Sequence, residues 1–419
     1  MRFIHAADIH LDSPLKGLPN YPEAPTEAVR RATRDAFKNL IDLAIKEQID
    51  FLLIAGDLYD GELKNAHAGM HVAKAFARLD EAGIPVVIIR GNHDAENKVS
   101  MEVELPSCCH ILSADEPQSV ELLDGEVVVH GQSFAKVEVT EDLSASYPPP
   151  VASRFNIGLL HTNANGSHDH DTYARCSVEA LKKHGYDYWA LGHIHIRQVL
   201  SENPWIIYPG NLQGRHIKES GSKGATLVTV EDNKVINVEH RDLDVARWVS
   251  IEVDAAGADT KGTVLGLVKD GLAEAFSAAD GRILAARVTV VGQCEAHAAL
   301  AGDPSLFVDE VRTKAFEVSQ EDILIEKVNI RTTPETSAAD SLAGDAVLSG
   351  VLATFDNLPE ELLAEIAAEL EPLREKLDAT IKAEVGEVPI TDPLQIKEWA
   401  KSLDFMVLQR ISDETDGVS

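Results

Sequence analysis

Five short apolar runs in the first half of this 419-residue chain each end in polar side chains. The runs are apolar at nearly every position, which is typical of strands that are buried on both faces of a sheet. Asp, Asn and His residues end each run, and ligands at the ends of such strands can converge at one edge of a sheet. The five segments are 2–10, 51–57, 86–94, 157–161 and 188–195. This pattern predicts buried strands that lead into a shared polar site.

The segments between these runs complete the pattern of an α/β domain. Apolar residues at helical spacing predict helices over 27–48 and 65–82, and Gly83 is a typical residue for the end of the second helix. Further strands are predicted at Val127–His130, Ile206–Tyr208 and Thr226–Val230. The alternation of strands with helices predicts a layered α/β domain over residues 1–245.

Residues 246–334 have their own order of elements. Strands are predicted at Trp248–Val253, Leu284–Val291 and Ile323–Ile330, with helices over 263–277 and 304–318 between them. This β-α-β-α-β order predicts a small α+β capping domain beside the first one.

The remaining residues, 335–419, form an acidic region rich in Ala, Glu and Leu. Apolar spacing predicts helices over 358–374 and 394–411. Two helices in such a tail can form a packed subdomain or a docking element for a partner, and the sequence leaves both interpretations open.

The overall composition is typical of a globular protein outside the membrane. Apolar residues make up 44% of the chain and charged residues 26%, and no run approaches the ~18–20 apolar residues that span a membrane. Asp8 interrupts the first apolar run before a signal peptide could form. The four cysteines are too few for a disulfide scaffold. We therefore expect a cytoplasmic protein that makes no membrane contact.

The formal net charge of −31, from 69 acidic and 38 basic residues, is unusual for a protein that grips nucleic acid alone. Phosphate contacts supply much of the affinity for nucleic acid, and they usually come from a basic patch. Metal ions and a local basic rim can still attract phosphate. The charge therefore predicts weak DNA binding by the chain alone, or a partner that supplies the binding.

The polar residues at the strand ends are metal-binding types. The candidate ligands are Asp8, His10, Asp57, Asn92, His161, His193 and His195. Oxygen and imidazole donors without thiolate suit Mn²⁺, Fe or Zn²⁺ better than Mg²⁺ or Cu⁺. Two such cations, ~3.5–4 Å apart, can bind a phosphoryl oxygen and activate the attacking water. The residue types therefore predict a two-metal site for phosphoester hydrolysis.

Two residues beside Asn92 are the candidate catalytic groups. His93 follows a candidate ligand but is expected to point in a different direction, so it is the candidate to donate a proton or a hydrogen bond near the leaving oxygen. Asp94 is the candidate to orient His93. His5 lies on the first strand before the ligands, and we expect it to be a core histidine with its hydrogen bonds satisfied.

At these residues the chain resembles the calcineurin-like metallophosphoesterase superfamily. The matching motifs are Asp8-Ile-His10, Gly56-Asp57, Gly91-Asn-His-Asp94, His161 and Gly192-His-Ile-His195. The resemblance implies a layered β-sandwich flanked by helices, with two metals that share Asp57. It further implies that Asp8, His10, Asp57 and His195 hold one metal and that Asp57, Asn92, His161 and His193 hold the other.

Within the superfamily, the context resembles the DNA double-strand-break repair nucleases, namely SbcD and especially the YhaO-like branch. The likeness lies in residues 5–15, 56–60, 187–195 and 208–216. It implies a Mn²⁺-dependent DNA exonuclease that dimerises and works with an SMC-like ATPase docked on the C-terminal region. Archaeal and eukaryotic members of this group carry His where Asp60 stands, so the role of that His does not transfer.

Other interpretations remain open on the sequence alone. The metal-binding motifs are compatible with a phosphodiesterase or phosphatase for small nucleotides or other phosphoesters, or with an interaction subunit whose metal site is vestigial. Residues 166–173 can be an extra metal site or a polar loop at the rim. The basic side chains of Arg197, Arg215, His216 and Lys218 can contact phosphate or belong to an ordinary solvated loop.

Overall fold

The structure is a computed structural model, and it describes residues 1–13, 15, 25–60, 67–96, 103–164, 176–335, 358–376, 391–397 and 399–400. These residues form two compact units. The first comprises Met1–Ser250, Leu272–Arg287 and Val318–Lys327. The second comprises Ile251–Gly271, Val288–Glu317 and the described residues from Val328 onward.

Helices lie between many of the strands along the chain. The strands are β1 Arg2–Ala6, β2 Phe51–Ala55, β3 Val86–Ile89, β4 Cys109–Ile111, β5 Gln118–Leu122, β6 Val127–Gly131, β7 Phe155–His161, β8 Tyr188–Gly192, β9 Gln198–Glu202, β10 Trp205–Tyr208, β11 Gly224–Glu231, β12 Lys234–Asp242, β13 Ala246–Asp254, β14 Ile283–Gln293 and β15 Ile323–Thr333. The helices are α1 Thr26–Lys46, α2 His67–Glu81, α3 Asn92–Glu96, α4 Val178–His184, α5 Lys261–Ala278, α6 His297–Ala301, α7 Pro304–Val318 and α8 Glu360–Lys376.

Two six-stranded sheets build the first unit. One has the order β12-β11-β1-β2-β3-β4 and the other β5-β6-β7-β8-β10-β9. Strands β1 to β4 are parallel, as are β6, β7, β8 and β10, whereas β5 and β9 are antiparallel strands at the two edges of the second sheet. The carboxyl ends of the parallel strands therefore meet at one edge of each sheet.

The two sheets pack face to face, and helices cover their outer faces. Phe3 and Phe51 stack with ring centroids 4.9 Å apart, in a buried cluster that also contains Phe155 and Tyr188 of the second sheet. The outer face of the first sheet packs on α1 and α2, and the outer face of the second packs on α4. Each central strand is thus buried on both faces, which explains its unbroken apolar run. The prediction of a layered α/β fold flanked by helices is confirmed.

A three-stranded sheet in the order β13-β14-β15 follows, with α5 between its first two strands and α6 and α7 between its last two. These elements confirm the predicted β-α-β-α-β order. Helix α8 confirms the first tail helix, while the second, predicted over 394–411, lies mostly outside the described residues. The domain boundaries at 245 and 334 stay a prediction. None of the described helices is both long and apolar enough to cross a membrane.

Candidate metal centre

The predicted ligands lie at the carboxyl ends of strands from both sheets. Those on β1, β2 and β3 come from the first sheet, and those on β7 and β8 come from the second. Four of them, Asp8, His10, Asp57 and His193, have φ values of 51°, 43°, 52° and 101°. Such values are uncommon for residues other than glycine, and they cluster at functional sites where the surrounding structure enforces them.

The donor atoms of these residues are brought close together. Asp8, His10 and His195 form one group, and Asp8, Asp57 and His161 form another, each with its donor atoms within 4.8 Å of one another. Oδ2 of Asp57 lies 3.7 Å from Nε2 of His10 and 3.5 Å from Nε2 of His161. Asp57 is therefore placed between the two groups, where its carboxylate can serve both.

Asn92 and His193 complete the cluster on the His161 side. Oδ1 of Asn92 lies 3.0 Å from Nε2 of His161. The ring of His193 packs against the His161 ring, with centroids 5.2 Å apart at an angle of 74°. All seven predicted ligands therefore converge on one place in the structure, and their assignment as ligands stays a prediction.

The hydrogen bonds of His161 test whether a cation fits this place. Its Nδ1 donates to the carbonyl oxygen of Ala55 at 2.9 Å, so a neutral ring carries its proton there. Burial lowers the pKa of His161 to about 3, which keeps the ring neutral. Nε2 is then an acceptor, and it faces a second acceptor, Oδ1 of Asn92. Two acceptors in contact repel one another, and a cation between them resolves the conflict.

His195 shows the same arrangement with a carboxylate behind it. Nδ1 of His195 donates to Oε1 of the buried Glu219 at 2.6 Å. Nε2 is therefore the free acceptor, and it faces Nε2 of His10 at 3.2 Å and Oδ1 of Asp8 at 3.9 Å. A carboxylate that holds the far nitrogen of an imidazole is the usual support for a metal-binding histidine.

The charges of the buried groups also favour cations. Burial raises the pKa of Asp8 well above its ordinary value, and the neighbouring charge of Asp57 raises it further. Burial likewise raises the pKa of Asp57 and lowers the pKa of His10. Burial beside neutral imidazoles disfavours the ionisation of both carboxyl groups, and divalent cations would supply the positive charge that lets both ionise. The donor set therefore fits divalent metal ions.

His93 lies beside this cluster and contacts an aspartate that the sequence did not identify as its partner. Nδ1 of His93 is 3.3 Å from Oδ1 of Asp60, and its ring is 36% exposed. Burial lowers the pKa of His93, but the hydrogen bond to Asp60 and the charge of Asp57 outweigh burial and raise it overall. Burial tends to raise the pKa of Asp60, while hydrogen bonds from His93 and Ser13 bring it to about 2. His93 is thus an accessible histidine that favours its protonated form.

Asp94 has a different position from the one expected. Its carboxylate accepts hydrogen bonds from the backbone N–H groups of Leu58, Tyr59 and Gly91 at 2.8–3.2 Å. The hypothesis that Asp94 orients His93 is therefore corrected, because the carboxylate beside the His93 ring belongs to Asp60. Asp94 instead ties the turn after β3 to the turn after β2.

Gly192 stands where a side chain would collide with the site. An added Cβ would overlap the carbonyl oxygen of Ala55 and lie 2.9 Å from Nδ1 of His161. We expect Gly192→Ala to lower the free energy of unfolding by about 1–3 kcal/mol, as overpacking does, and to displace His161 from its hydrogen bond with Ala55. Urea unfolding measures the first effect. Gly266→Ala on α5 is a control for the loss of a glycine, because no atom lies within 4 Å of its added Cβ and its φ is outside the left-handed region. Equal effects of the two substitutions would contradict the steric explanation.

Glu219, which supports the His195 ring, also makes hydrogen bonds with other residues of the segment after β10. Besides His195, it accepts hydrogen bonds from Nδ2 of Asn211 at 2.9 Å and from the backbone N–H of Arg215 at 2.7 Å. Burial tends to raise the pKa of Glu219, but the hydrogen bond from His195 and the charge of Arg215 hold it well below its ordinary value.

We expect Glu219→Gln to weaken binding of Mn²⁺ about 10- to 100-fold, as loss of such a partner typically does. The amide keeps the shape of the side chain but removes the charge that fixes the His195 tautomer. Calorimetric titration of metal-free protein with Mn²⁺ measures the change. Glu121→Gln on the exposed edge strand β5 is the matched control. Unchanged affinity in Glu219→Gln would show that His195 does not need this carboxylate.

Two further hypotheses from the sequence concern His5 and residues 166–173. His5 is a core histidine, with Nδ1 3.1 Å from the hydroxyl of Tyr188 and Nε2 3.1 Å from the carbonyl oxygen of Leu191. The segment 166–173 lies outside the described residues. Sequence reasoning missed the roles of Asp60, Glu219 and Ser13.

Comparison with known proteins agrees with this geometry. Residues 1–197 match the calcineurin-like phosphoesterase family, and residues 248–333 match the middle domain of the metallophosphoesterase YhaO. The chain belongs to the calcineurin-like metallophosphoesterases, a family of hydrolases whose fold implies bound divalent metal ions.

Among individual relatives, the chain is 39% identical over 274 residues to the uncharacterized metallophosphoesterase YhaO of Bacillus subtilis, covering 64% of this chain and 67% of that one. It is 29% identical to the DNA double-strand break repair protein Mre11 of Sulfurisphaera tokodaii, covering 46% of this chain and 52% of that one. It is 26% identical to SbcD of Staphylococcus epidermidis, which is named as a subunit of the nuclease SbcCD. That match covers 57% of this chain and 68% of SbcD. The chain therefore spans about half the length of that Mre11 relative.

Proposed function

We propose that this protein is a metal-dependent DNA nuclease of DNA repair. The observation that carries the proposal is the similarity of the site-bearing region to Mre11 and to SbcD, which are named for break repair and for nuclease activity. The convergence of seven donor side chains beside an accessible histidine supports phosphodiester hydrolysis at this place. The mixed oxygen and imidazole donors favour Mn²⁺, with Fe or Zn²⁺ as the other candidates.

The residues of the chain divide the work of hydrolysis between them. When bound, two divalent cations would neutralise the charge that develops on the phosphoryl oxygens. Asp60 holds Nδ1 of His93 and favours the protonated ring. His93 then donates its other proton or a hydrogen bond to the leaving oxygen, which suits a partly exposed ring at the border of the site. Asp57 fixes the turn that carries His93 by accepting a hydrogen bond from its backbone N–H at 3.0 Å.

The net charge of −31 supports a partner that supplies DNA binding. One relative is named as a subunit of a nuclease assembly, in agreement with such a partner. We propose that the partner is an SMC-like ATPase, that the nuclease subunit dimerises and that the assembly works in the cytoplasm. The acidic region from 335 onward, including α8, is the candidate docking element.

The test is cleavage of end-labelled linear DNA by the purified protein with and without Mn²⁺, with His93→Ala alongside. We expect Mn²⁺-dependent cleavage that is lost in the variant. A small aryl phosphodiester is assayed in parallel, because its hydrolysis reports the site without requiring DNA binding. The DNA assay is repeated with the cognate ATPase added. Hydrolysis of the aryl diester without DNA cleavage under either condition would favour a phosphodiesterase for small nucleotides or other phosphoesters.

A further inference from the structure

Arg215 reaches the candidate metal centre from the segment that follows β10. Its Nη1 donates to the hydroxyl of Ser13 at 3.4 Å and lies 3.9 Å from Oδ2 of Asp60. Its Nη2 lies 3.5 Å from Oε1 of Glu219 and 3.3 Å from Nδ1 of His195. The guanidinium therefore stands between the Asp60–His93 pair and the Glu219–His195 pair. Its side chain is only 16% exposed.

The donors of Arg215 are poorly satisfied by these neighbours. Charge-assisted hydrogen bonds are ordinarily about 2.7–2.9 Å long, and both contacts of the Arg215 guanidinium with carboxylates are longer than that. The contact between Nη2 of Arg215 and Nδ1 of His195 brings two donors together, because Nδ1 already donates to Glu219. Nε of Arg215 is buried and has no hydrogen-bond partner among the described residues. The guanidinium thus keeps donor capacity that the protein does not use.

Other arginines of the same chain show what a structural arginine looks like. Arg247 contacts Asp242 at 2.7 Å and Asp244 at 2.9 Å. Arg287 forms a two-pronged pair with Glu326 at 2.5 and 2.7 Å. Both have close carboxylate partners, whereas the carboxylates near Arg215 remain at 3.5 Å or more. The difference indicates that Arg215 is placed for a ligand rather than for a salt bridge.

The chemistry of that ligand follows from the surroundings. A guanidinium presents its donors in a planar fork that matches phosphate oxygens. The Arg215 guanidinium also lies directly beside a predicted ligand, since its Nη2 is 3.3 Å from the His195 ring. A phosphate at the predicted ligands would therefore lie within the electrostatic reach of this side chain.

We propose that Arg215 is a phosphate-binding residue, whose guanidinium takes a non-bridging oxygen of the phosphoester at the metal centre. This inference rests on the proposed hydrolysis of phosphoesters at this site, but it does not require that the substrate be DNA. It gives a specific role to one of the basic side chains that the sequence left between phosphate contact and solvated loop.

The test compares Arg215→Gln and Arg215→Lys with the wild type in the full-length, Mn²⁺-loaded protein. Inorganic phosphate is the probe, and its binding is measured by calorimetry and by inhibition of aryl diester hydrolysis. We expect Arg215→Gln to weaken phosphate binding and to raise KM about 10- to 100-fold, as loss of a hydrogen bond to a charged group does, with a smaller change in kcat. Arg215→Lys keeps the charge without the fork, so we expect an intermediate loss.

A merely structural role would give a different set of results. It predicts that Arg215→Gln weakens Mn²⁺ binding and lowers the melting temperature while the affinity for phosphate stays unchanged, and that outcome would overturn the inference. Arg247→Gln is the matched structural control, expected to lower the melting temperature without changing phosphate affinity. Absence of phosphate binding by the wild type would also overturn it. If phosphate binding depends on Arg215 but the protein does not cleave DNA, the inference about Arg215 is supported and the proposed nuclease activity is contradicted.

Discussion

Replacing Asp57 with asparagine is expected to raise the melting temperature of the metal-free protein and to remove the further rise that we expect Mn²⁺ to give the wild type. Asp57 is buried beside Asp8, and burial raises the pKa of both carboxyl groups. Their ionisation therefore costs the metal-free fold stability. The amide removes one of these charges and can still accept the hydrogen bond from the backbone N–H of His93.

The loss of metal binding follows from the same position. Oδ2 of Asp57 lies within 3.7 Å of the Nε2 atoms of His10 and His161, so its loss affects both donor groups. We expect Mn²⁺ affinity to fall by more than about 100-fold, the upper end of the loss for a supporting residue. Since bound metal stabilises the folded state by mass action, the increase in melting temperature should disappear with it.

Thermal unfolding in EDTA and in Mn²⁺, across a range of pH, measures both effects. A carboxyl whose folded pKa is raised leaves stability intact below its unfolded pKa, about 4, and destabilises the fold as pH rises toward the folded value. Metal-free wild type should therefore lose stability with rising pH more steeply than Asp57→Asn.

Asp244→Asn is the control for this prediction, because the same substitution should lower the melting temperature there. Asp244 is buried but paired with Arg247 at 2.9 Å and Arg282 at 2.8 Å. Breaking that pair should destabilise the protein by about 3 kcal/mol with or without metal, and the Mn²⁺ increase should remain. A lower melting temperature of metal-free Asp57→Asn would contradict the account of Asp57.

The central strands of the fold could be predicted because a strand that is buried on both faces is recognisable in the sequence as an unbroken run of apolar residues. The runs at β1, β2, β3, β7 and β8 carry little else than apolar residues, so their existence and their polar ends were readable. The edge strands β5 and β9 were not predicted. Their side chains are largely exposed and polar, so they leave no unbroken run, and only pairing with a neighbouring strand makes them strands.

The same contrast holds in the site. The predicted ligands belong to compact sequence motifs. Glu219, in contrast, lies 24 residues after His195, and nothing in its neighbouring sequence distinguishes it from the other members of the 69 acidic residues. The pairing of His93 with Asp94 was wrong for a geometric reason. Both belong to α3, where successive side chains point about 100° apart, so Asp94 turns toward backbone amides while His93 turns toward Asp60. Contacts of this kind depend on how separate strands are placed in space.

The second large effect is expected from the Asp60–His93 pair. We expect His93→Ala to reduce hydrolysis of an aryl phosphodiester by about 10²–10⁴-fold, the range for loss of a general acid, and Asp60→Asn to reduce it less. Since we propose that Asp60 acts through the His93 ring, the double variant should be no slower than His93→Ala. Additive losses would contradict a shared role and indicate that Asp60 acts on its own.

Two further measurements separate proton donation from a structural effect. The loss in His93→Ala should be greater for a phenyl than for a p-nitrophenyl leaving group, because the better leaving group needs less help from an acid. In Asp60→Asn the pKa of His93 should fall, because its partner no longer favours the charged ring. Activity that depends on protonated His93 is lost as pH rises through that pKa, so the alkaline limb of the rate profile should move to lower pH. An unmoved limb together with equal losses for both leaving groups would show that His93 supports the site without donating the proton.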